Sequence, residues 1–281
     1  MFRQRPPSLV SPPLDPKLRA FTLLELVVVM AIAIALTAYL LPAFTDLRGA
    51  NDLLTAAYTI KGVLERARTY ARVNNTYAWV GFYEENGAIA STNPPTPGNG
   101  RLVLSSAASV DGTTIYGSNP VVIDPTRLIQ LGKLIKIDNV HLPLFTIGTG
   151  SGITFETRPA LQLEPIAGYN YARFGELNAS PPHTAPFTNA QYPFQYPVGN
   201  PIPAAQYLFT KTLQFGPRGE SRINGNNYDV RRVVEIGLLQ THGSLVPTAT
   251  SGAGTSSVSY QGNTIAIQLS GFGSAVTLYR R

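Results

Sequence analysis

The hydrophobic and polar residues of this chain change their pattern twice. Residues 26–44 hold no charged side chain, and apolar residues lie on every side of any helix drawn through them. Further on, apolar residues recur at spacings of four and three, at Leu53, Ala57, Ile60, Leu64, Ala67 and Ala71. After residue 75 the apolar residues come in short β-branched or aromatic runs bounded by Gly, Pro or Asn. These patterns predict an apolar helix, an amphipathic helix and a set of β-strands.

One continuous helix is predicted over residues 21–73, ending at the pair Asn74 and Asn75. The uncharged residues 26–44 would span about 28 Å as a helix, close to the ~30 Å of a bilayer core. We therefore expect residues 21–44 to be a transmembrane helix. Pro42 removes a backbone donor, so a kink is expected there.

Four basic residues precede the apolar run, at Arg3, Arg5, Lys17 and Arg19. By the positive-inside rule they would stay on the cytoplasmic side. The sequence thus predicts a single-pass inner-membrane protein with a cytoplasmic N-terminus and a periplasmic head, which later becomes part of a filament.

The predicted fold is α+β, with the long N-terminal helix packed on an antiparallel, β-rich head. The domains are a basic leader, 1–20, the two helix halves, 21–44 and 45–75, and the head, 76–281. Strands are predicted at 77–83, 101–105, 121–124, 134–137, 152–157, 208–215, 230–239, 264–269 and 276–280. Long loops are predicted at 94–100 and 248–257.

Composition narrows the function classes. The 281 residues are 44% hydrophobic and only 14% charged, and they include no cysteine, which excludes disulfides and thiolate metal sites. The net charge of +6 divides equally between residues 1–20 and the remainder. The remainder carries a net charge of only +3, which argues against a protein dedicated to coating nucleic acid.

Glu25 is the informative exception in the apolar run, as the only charge between Arg19 and Asp46. An unpaired carboxylate is costly in an apolar environment, so it is a functional hypothesis by default. A cleaved signal peptide and a plain signal anchor are two alternatives, but neither gives a reason for this residue.

The stretch Arg19-Ala20 followed by Phe21-Thr22-Leu23-Leu24-Glu25-Leu26 resembles the prepilin cleavage and methylation site of type IV pilins and type II secretion pseudopilins. The resemblance implies that prepilin peptidase cuts between Ala20 and Phe21 and methylates the new amine, giving N-methylphenylalanine. Ala20 stands where the family usually has Gly.

The same resemblance implies a structural and assembly subunit, a minor pilin or pseudopilin, and not an enzyme. Its partners would be prepilin peptidase, the inner membrane, an exported substrate in protein secretion, and other subunits bound through the N-terminal helix. In a helix bundle, Glu25 would pair with the Phe21 amine of a neighbouring subunit. No cofactor is implied.

Two later segments resemble minor pseudopilins of the H type. Residues 213–219 look like their strand and Pro-x-Gly turn, and residues 264–280 look like their closing strand, Gly turn and last strand. Related minor pilins take part in DNA uptake, so a DNA-binding subunit is the alternative function. Arg280 and Arg281 would then contact DNA, joined by Arg231 and Arg232 in one basic patch.

The segment 178–203 is the clearest insertion, because it is rich in proline and has no formal charge. Proline at this density predicts irregular or polyproline-like structure. Its aromatic residues either pack on the head or form a recognition surface for a neighbouring subunit or exported partner, at Phe187, Tyr192, Phe194 and Tyr196.

The sequence carries no recognisable catalytic or metal-binding motif. His141, His183 and His242 lie far apart in the sequence, outside any metal-ligand spacing. No nucleophile elbow, phosphate loop or calcium loop is found. A membrane-tethered enzyme with a site assembled from distant residues is the third hypothesis.

Overall fold

The computed structural model describes residues 22–114, 123–161, 172–173, 194–199, 206–223, 230–247, 249–251, 258–260, 262–273 and 276–281. Within these ranges, only the backbone is described for residues 38–50, 249–251 and 258–259. Ala20 and Phe21, between which cleavage is predicted, lie outside the described residues.

The described secondary structure is one long α-helix, one short 3₁₀-helix and thirteen strands. The helices are α1 (Leu23–Val73) and the 3₁₀-helix Pro125–Arg127. The strands are β1 (Ala78–Asn86), β2 (Gly100–Ser109), β3 (Leu128–Gln130), β4 (Ile135–His141), β5 (Phe194–Tyr196), β6 (Tyr207–Phe209), β7 (Lys211–Phe215), β8 (Ser221–Ile223), β9 (Val233–Gln240), β10 (Ala249–Ser251), β11 (Val258–Tyr260), β12 (Thr264–Ser270) and β13 (Val276–Arg280).

The chain divides into two compact units, Met1–Asp46 and Leu47–Arg281. The predicted fold class is wrong on this point, because the long helix does not pack on the head as one element. The second unit is mostly antiparallel β-sheet, and only the later part of α1 belongs to it. The physical reason is the apolar pattern: a stripe that can face a sheet begins at Leu53, whereas residues 26–44 are apolar all round.

No helix in the described part of the chain has the length and apolarity needed to cross a membrane. The predictions of a transmembrane helix and of a single-pass inner-membrane location are therefore wrong, as is the assignment of sides that followed from them.

The amphipathic stripe of the second unit is confirmed. Its six predicted residues are all buried, together with Ala56, in one core with the sheet. That core includes Val80 and Phe82 of β1 and Ile236 of β9. Burying an aliphatic or aromatic side chain contributes ~1.5–3 kcal/mol, so this face fixes the helix on the sheet.

The main sheet has nine strands in the order β13-β12-β9-β4-β2-β1-β7-β8, with β3 beside β2, and its strand pairs are antiparallel. Its other face carries a second core, which includes Trp79 and Val103. The hairpin β5–β6 contributes Phe194 and Phe209 to that core. Gly81 lets the hairpin approach, because a Cβ there would lie 2.5 Å from Cγ of Phe209.

Several predicted strands differ from the observed ones. Residues 152–157 form turns, with Gly152 N–H donating to the Thr157 carbonyl at 2.7 Å. The predicted strand 208–215 is two strands. β6 pairs with β5, β7 pairs with β1, and Thr210 lies between β6 and β7. Within the predicted loop 248–257, residues 249–251 pair with β11. Of the predicted strand 121–124, the described residues Ile123 and Asp124 belong to no strand.

Candidate functional site

The start of α1 is the first candidate site, and the structure describes it from Thr22 onward. The Thr22 N–H and hydroxyl both donate to Glu25 Oε2 at 2.9 Å, and the Glu25 N–H donates back to Thr22 Oγ1 at 3.2 Å. This reciprocal pattern is a capping box, which satisfies amide groups that a helix start leaves unpaired. Glu25 thus has partners within its own chain, which the sequence analysis missed.

The capping box also sets the charge of Glu25. The backbone hydrogen bond from Thr22, followed by the hydroxyl one, lowers the pKa of this carboxyl group. Glu25 is therefore ionised at neutral pH, at an exposed position one turn into the helix. An anion near a helix N-terminus is favourable, because the free amides there carry partial positive charge.

Beyond Glu25, the described side chains of the apolar segment, residues 23–37, are exposed. Exposure of its large apolar residues ranges from 48% at Val28 to 82% at Leu23. Consecutive helical residues are rotated by about 100°, so side chains exposed at successive positions surround the helix. Apolar surface that is continuous and exposed marks an interaction site. The helix backbone continues through Pro42, and the kink predicted there stays a prediction.

Two adjacent buried carboxylates form the most concentrated chemistry of the second unit, and the sequence analysis missed both. Glu84 and Glu85 end the buried part of β1, and successive strand residues point to opposite faces. The one available signal was a pair of acids in an apolar strand of a charge-poor chain.

On the helix side of the sheet, Glu84 is fully buried among three donors. Lys211 Nζ lies 2.7 Å from its Oε2, while His141 Nδ1 and the Leu142 N–H lie 2.6 and 2.9 Å from its Oε1. Burial raises the pKa of Glu84, but the charges and hydrogen bonds of Lys211 and His141 outweigh it. The net pKa lies below the usual range, so this carboxylate stays ionised.

On the opposite face, Glu85 binds a larger set of donors. The Tyr207 hydroxyl donates to its Oε1, the Ser91 hydroxyl lies 2.9 Å from both oxygens, and Lys136 Nζ lies 3.4 Å away. Arg101 reaches Oε2 at 3.3 Å. Burial raises the pKa of Glu85, but the hydrogen bonds from Tyr207 and Ser91 and the charge of Lys136 lower it on balance.

Ser91 and Lys136 are hydrogen-bonded, which raises the question of nucleophilic catalysis. A lysine that activates a serine must be deprotonated. Burial lowers the pKa of Lys136, yet the hydrogen bond of Tyr207 and the charge of Glu85 raise it above its usual value. Lys136 is therefore a cation paired with Glu85, and the pair supports no serine chemistry.

A third buried carboxylate, Glu235 on β9, pairs with Arg158. The guanidinium reaches the two carboxylate oxygens at 2.6 and 3.0 Å, and both side chains are buried. Gln268 donates to Glu235 Oε2 at 2.7 Å. As at Glu85, which binds Ser91, the charge joins a connecting segment to the sheet. Breaking such a pair leaves an uncompensated buried charge, so these clusters serve stability.

The predicted basic patch does not form. Through the strand register, Arg280 lies level with Ile265 of β12 and Leu238 of β9. Arg232 comes just before the start of β9, six residues from Leu238. Six residues of a strand span about 20 Å, so Arg232 and Arg280 are far apart. Arg281 is also neutralised, with its Nε 3.1 Å from Glu156 Oε1. DNA contact by Arg280 and Arg281 stays a prediction without a clustered surface.

The described part of the insertion, residues 194–199, is partly regular. Residues 194–196 form β5, so the prediction of irregular structure is wrong there. Phe194 is fully buried, which confirms packing on the head for this aromatic, and Tyr196 is half-buried. Phe187 and Tyr192 lie outside the described residues.

The two described histidines, His141 and His242, have different surroundings. His141 binds Glu84, and His242 begins a turn in which its N–H donates to the Leu245 carbonyl at 3.1 Å. His183 lies outside the described residues. Across the residues whose positions are described, no three His, Asp or Glu side chains converge as metal ligands would.

Comparison with known proteins places the chain in no family: no family model, curated protein or solved structure matches it. The resemblance of residues 19–26 to a prepilin site therefore stays a prediction. The strand and turn pattern expected for residues 213–219 and 264–280 is present, as β7, a turn closed by Gly219 N–H to Gly216 O at 2.8 Å, and the hairpin β12–β13.

Proposed function

We propose that this protein is a structural subunit, a minor pilin or pseudopilin, that assembles with other subunits through its apolar segment, residues 23–37. The observation that carries the proposal is the exposed apolar surface around this helix, which begins at an ionised capping residue. The filament would be a type IV pilus or a type II secretion-like fibre.

The energetics favour helix-to-helix assembly. Burying six such side chains contributes roughly 9 kcal/mol or more at ~1.5 kcal/mol each. That is comparable with the ~4–15 kcal/mol that association costs in lost freedom. Because the surface surrounds the helix, one neighbour covers only part of it, which favours a bundle over a dimer.

Glu25 gives the bundle a polar contact. Its carboxylate accepts from Thr22 through Oε2, and no hydrogen bond to Oε1 is described. Prepilin peptidase cleavage between Ala20 and Phe21 would create an amine that can pair with this acid from a neighbouring subunit. A charge buried in an apolar bundle is tolerated only with such a partner. Glu25 would then set register and recruitment.

The test is incorporation of the full chain into filaments, measured by pull-down of the assembled fibre. Ile34→Asp places a charge on the apolar segment and should abolish incorporation. Ile153→Asp is the matched control, because Ile153 is a more exposed isoleucine in the second unit. Equal incorporation of the two variants would contradict the proposal.

Two further measurements separate the parts of the proposal. Glu25→Ala should reduce incorporation less than Ile34→Asp, because it removes one polar contact and leaves the apolar surface. Mass spectrometry of the mature N-terminus should find N-methylated Phe21. An N-terminus that retains Ala20 would refute processing.

A further inference from the structure

A cavity of about 270 Å³ lies between α1 and the sheet, within the second unit. Val63 lines it from the helix, Leu104 from β2 and Ile135 from β4. The remaining lining is polar, with Arg66 and Lys133 as cations and with Ser105 and Ser106 of β2. The cavity lies apart from Glu84 and Glu85, and neither acid lines it.

A break in strand pairing creates this space. On one side of β2, Ala107 pairs with Gln130 of β3, while Leu104 pairs with Ile135 of β4. Ser105 and Ser106 fall between these pairs, because residues 131–134 leave the sheet there. The loop stays attached through the Leu131 N–H, which donates to the Ser106 carbonyl at 2.9 Å.

Arg66 is placed over this loop by a glycine. A Cβ on Gly132 would overlap Nη2 of Arg66, so the guanidinium lies directly against the Gly132 backbone. A larger residue at position 132 would displace it. The absence of a side chain thus positions a cation at the cavity.

Both cations lack an acidic partner among the residues that the structure describes. Glu65, the acid next to Arg66 in sequence, instead lies 3.8 Å from Lys61. The cavity lining contains no acid either. Two positive charges beside an apolar wall leave a local charge that an anion would neutralise.

One serine places its hydroxyl on the helix side of the sheet. Ser106 pairs with Val80 of the helix-side core, so its side chain faces α1. Ser105 faces the opposite side, where Gln130 Nε2 donates to its Oγ at 2.9 Å. Ser106 is 6% exposed, and its hydroxyl is open to solvent and not buried without a partner, so it can donate to a bound ligand.

We propose that this cavity binds a small monocarboxylate with an apolar body. The carboxylate would accept from Arg66, Lys133 and the Ser106 hydroxyl, while the apolar body would contact Val63, Leu104 and Ile135. The size fits, because a cavity of ~150 Å³ already holds benzene. The site is independent of filament assembly, since it uses no residue of the apolar segment.

The experiment is calorimetric titration of the full chain at pH 7 with three probes. Benzoate carries both charge and an apolar ring, benzyl alcohol has the ring alone, and inorganic phosphate has charge alone. Benzoate should bind at least about tenfold more tightly than either, the factor that one charge-assisted hydrogen bond supplies. Equal affinity for benzoate and benzyl alcohol, or no benzoate binding, would overturn the proposal.

Variants locate the site. Arg66→Gln and Lys133→Gln should each weaken benzoate binding about tenfold, and Ser106→Ala less. Arg218→Gln is the matched control, because it removes an exposed positive charge away from the cavity and should change nothing. An equal loss in Arg218→Gln would refute the site.

Gly132→Ala retains both charges and should weaken binding by displacing Arg66, which tests placement as well as charge. Thermal unfolding of each variant checks that it is folded. Unchanged benzoate affinity in a folded Gly132→Ala variant would contradict the role assigned to Arg66.

Discussion

Residues 23–37 of α1 are more apolar than residues 53–71, at 13 of 15 residues against 11 of 19, and the two parts have opposite surroundings. Residues 23–37 expose their apolar side chains, whereas the stripe from Leu53 to Ala71 is buried on the sheet. The difference lies in spacing, because a helix that alternates apolar and polar residues every three to four positions has one face for a sheet. A helix that is apolar all round needs partners on every side. Spacing, and not hydrophobicity, decides which part of α1 joins the second unit.

The largest expected effect compares the loss of a buried charge in the second unit, Glu84, with the loss of an exposed charge in the first, Glu25. Glu84→Gln should destabilise the second unit by ~3–5 kcal/mol, because Lys211 would remain buried and charged without its acid. Glu25→Gln should leave that unit unchanged. Chemical denaturation of both variants measures the contrast, and equal stabilities would show that Glu84 is not the buried anchor described.

The pH dependence of unfolding gives a control for this prediction. Lys211 and His141 hold the folded pKa of Glu84 below its ordinary 4.5, so folding favours its ionised form. Its contribution is complete above pH 4.5 and is lost as pH falls through the lower folded pKa. Glu84→Gln should flatten this part of the acid-unfolding curve, and an unchanged curve would assign the effect to other groups.

The next effect compares one aliphatic side chain in each environment. Leu64→Ala should cost ~2–5 kcal/mol, since Leu64 is fully buried against the sheet and its loss leaves a cavity. Ile34→Ala should cost less than ~0.5 kcal/mol, because Ile34 is 68% exposed. Thermal unfolding of the full chain measures the stability of both variants. Similar losses of stability would mean that Leu64 and Ile34 are equally buried.

The smallest effect concerns the first turn of α1. Thr22→Ala removes the hydroxyl half of the capping box and should cost ~1 kcal/mol of local helix stability. Amide hydrogen exchange at residues 23–26 should quicken, while exchange in the β-strands stays unchanged. Thr22→Ser is the matched control, because serine keeps the cap. Faster exchange in both variants would exclude the cap as its cause.

The sequence predicted the elements that depend on local pattern. All six stripe residues are buried, and the observed β1, β2, β9, β12 and β13 overlap predicted strands. Short strands such as β3 and β8 were missed, because three residues give no periodicity to read. The membrane prediction was wrong, since no helix in the described part of the chain is long and apolar enough to cross a membrane.

The buried charges were beyond sequence reasoning for a physical reason. Glu84 meets His141 and Lys211, which are 57 and 127 residues away in the chain. Only the sheet topology brings them together. The cavity beside Arg66 depends likewise on where β3 ends and β4 begins, which no local pattern encodes. The capping box is the contrast, because Thr22 and Glu25 are three residues apart and its motif was readable.

The buried ion pairs of Glu84 and Glu85 make β1 sensitive to misalignment. A slip of one residue sends every side chain of a strand to the opposite face. If Glu84 moved into the place of Glu85, Tyr83 would stand beside Lys211, which would then be buried without its acid. Each strand register other than the native one thus leaves at least one buried charge without its partner, which penalises the misaligned sheet.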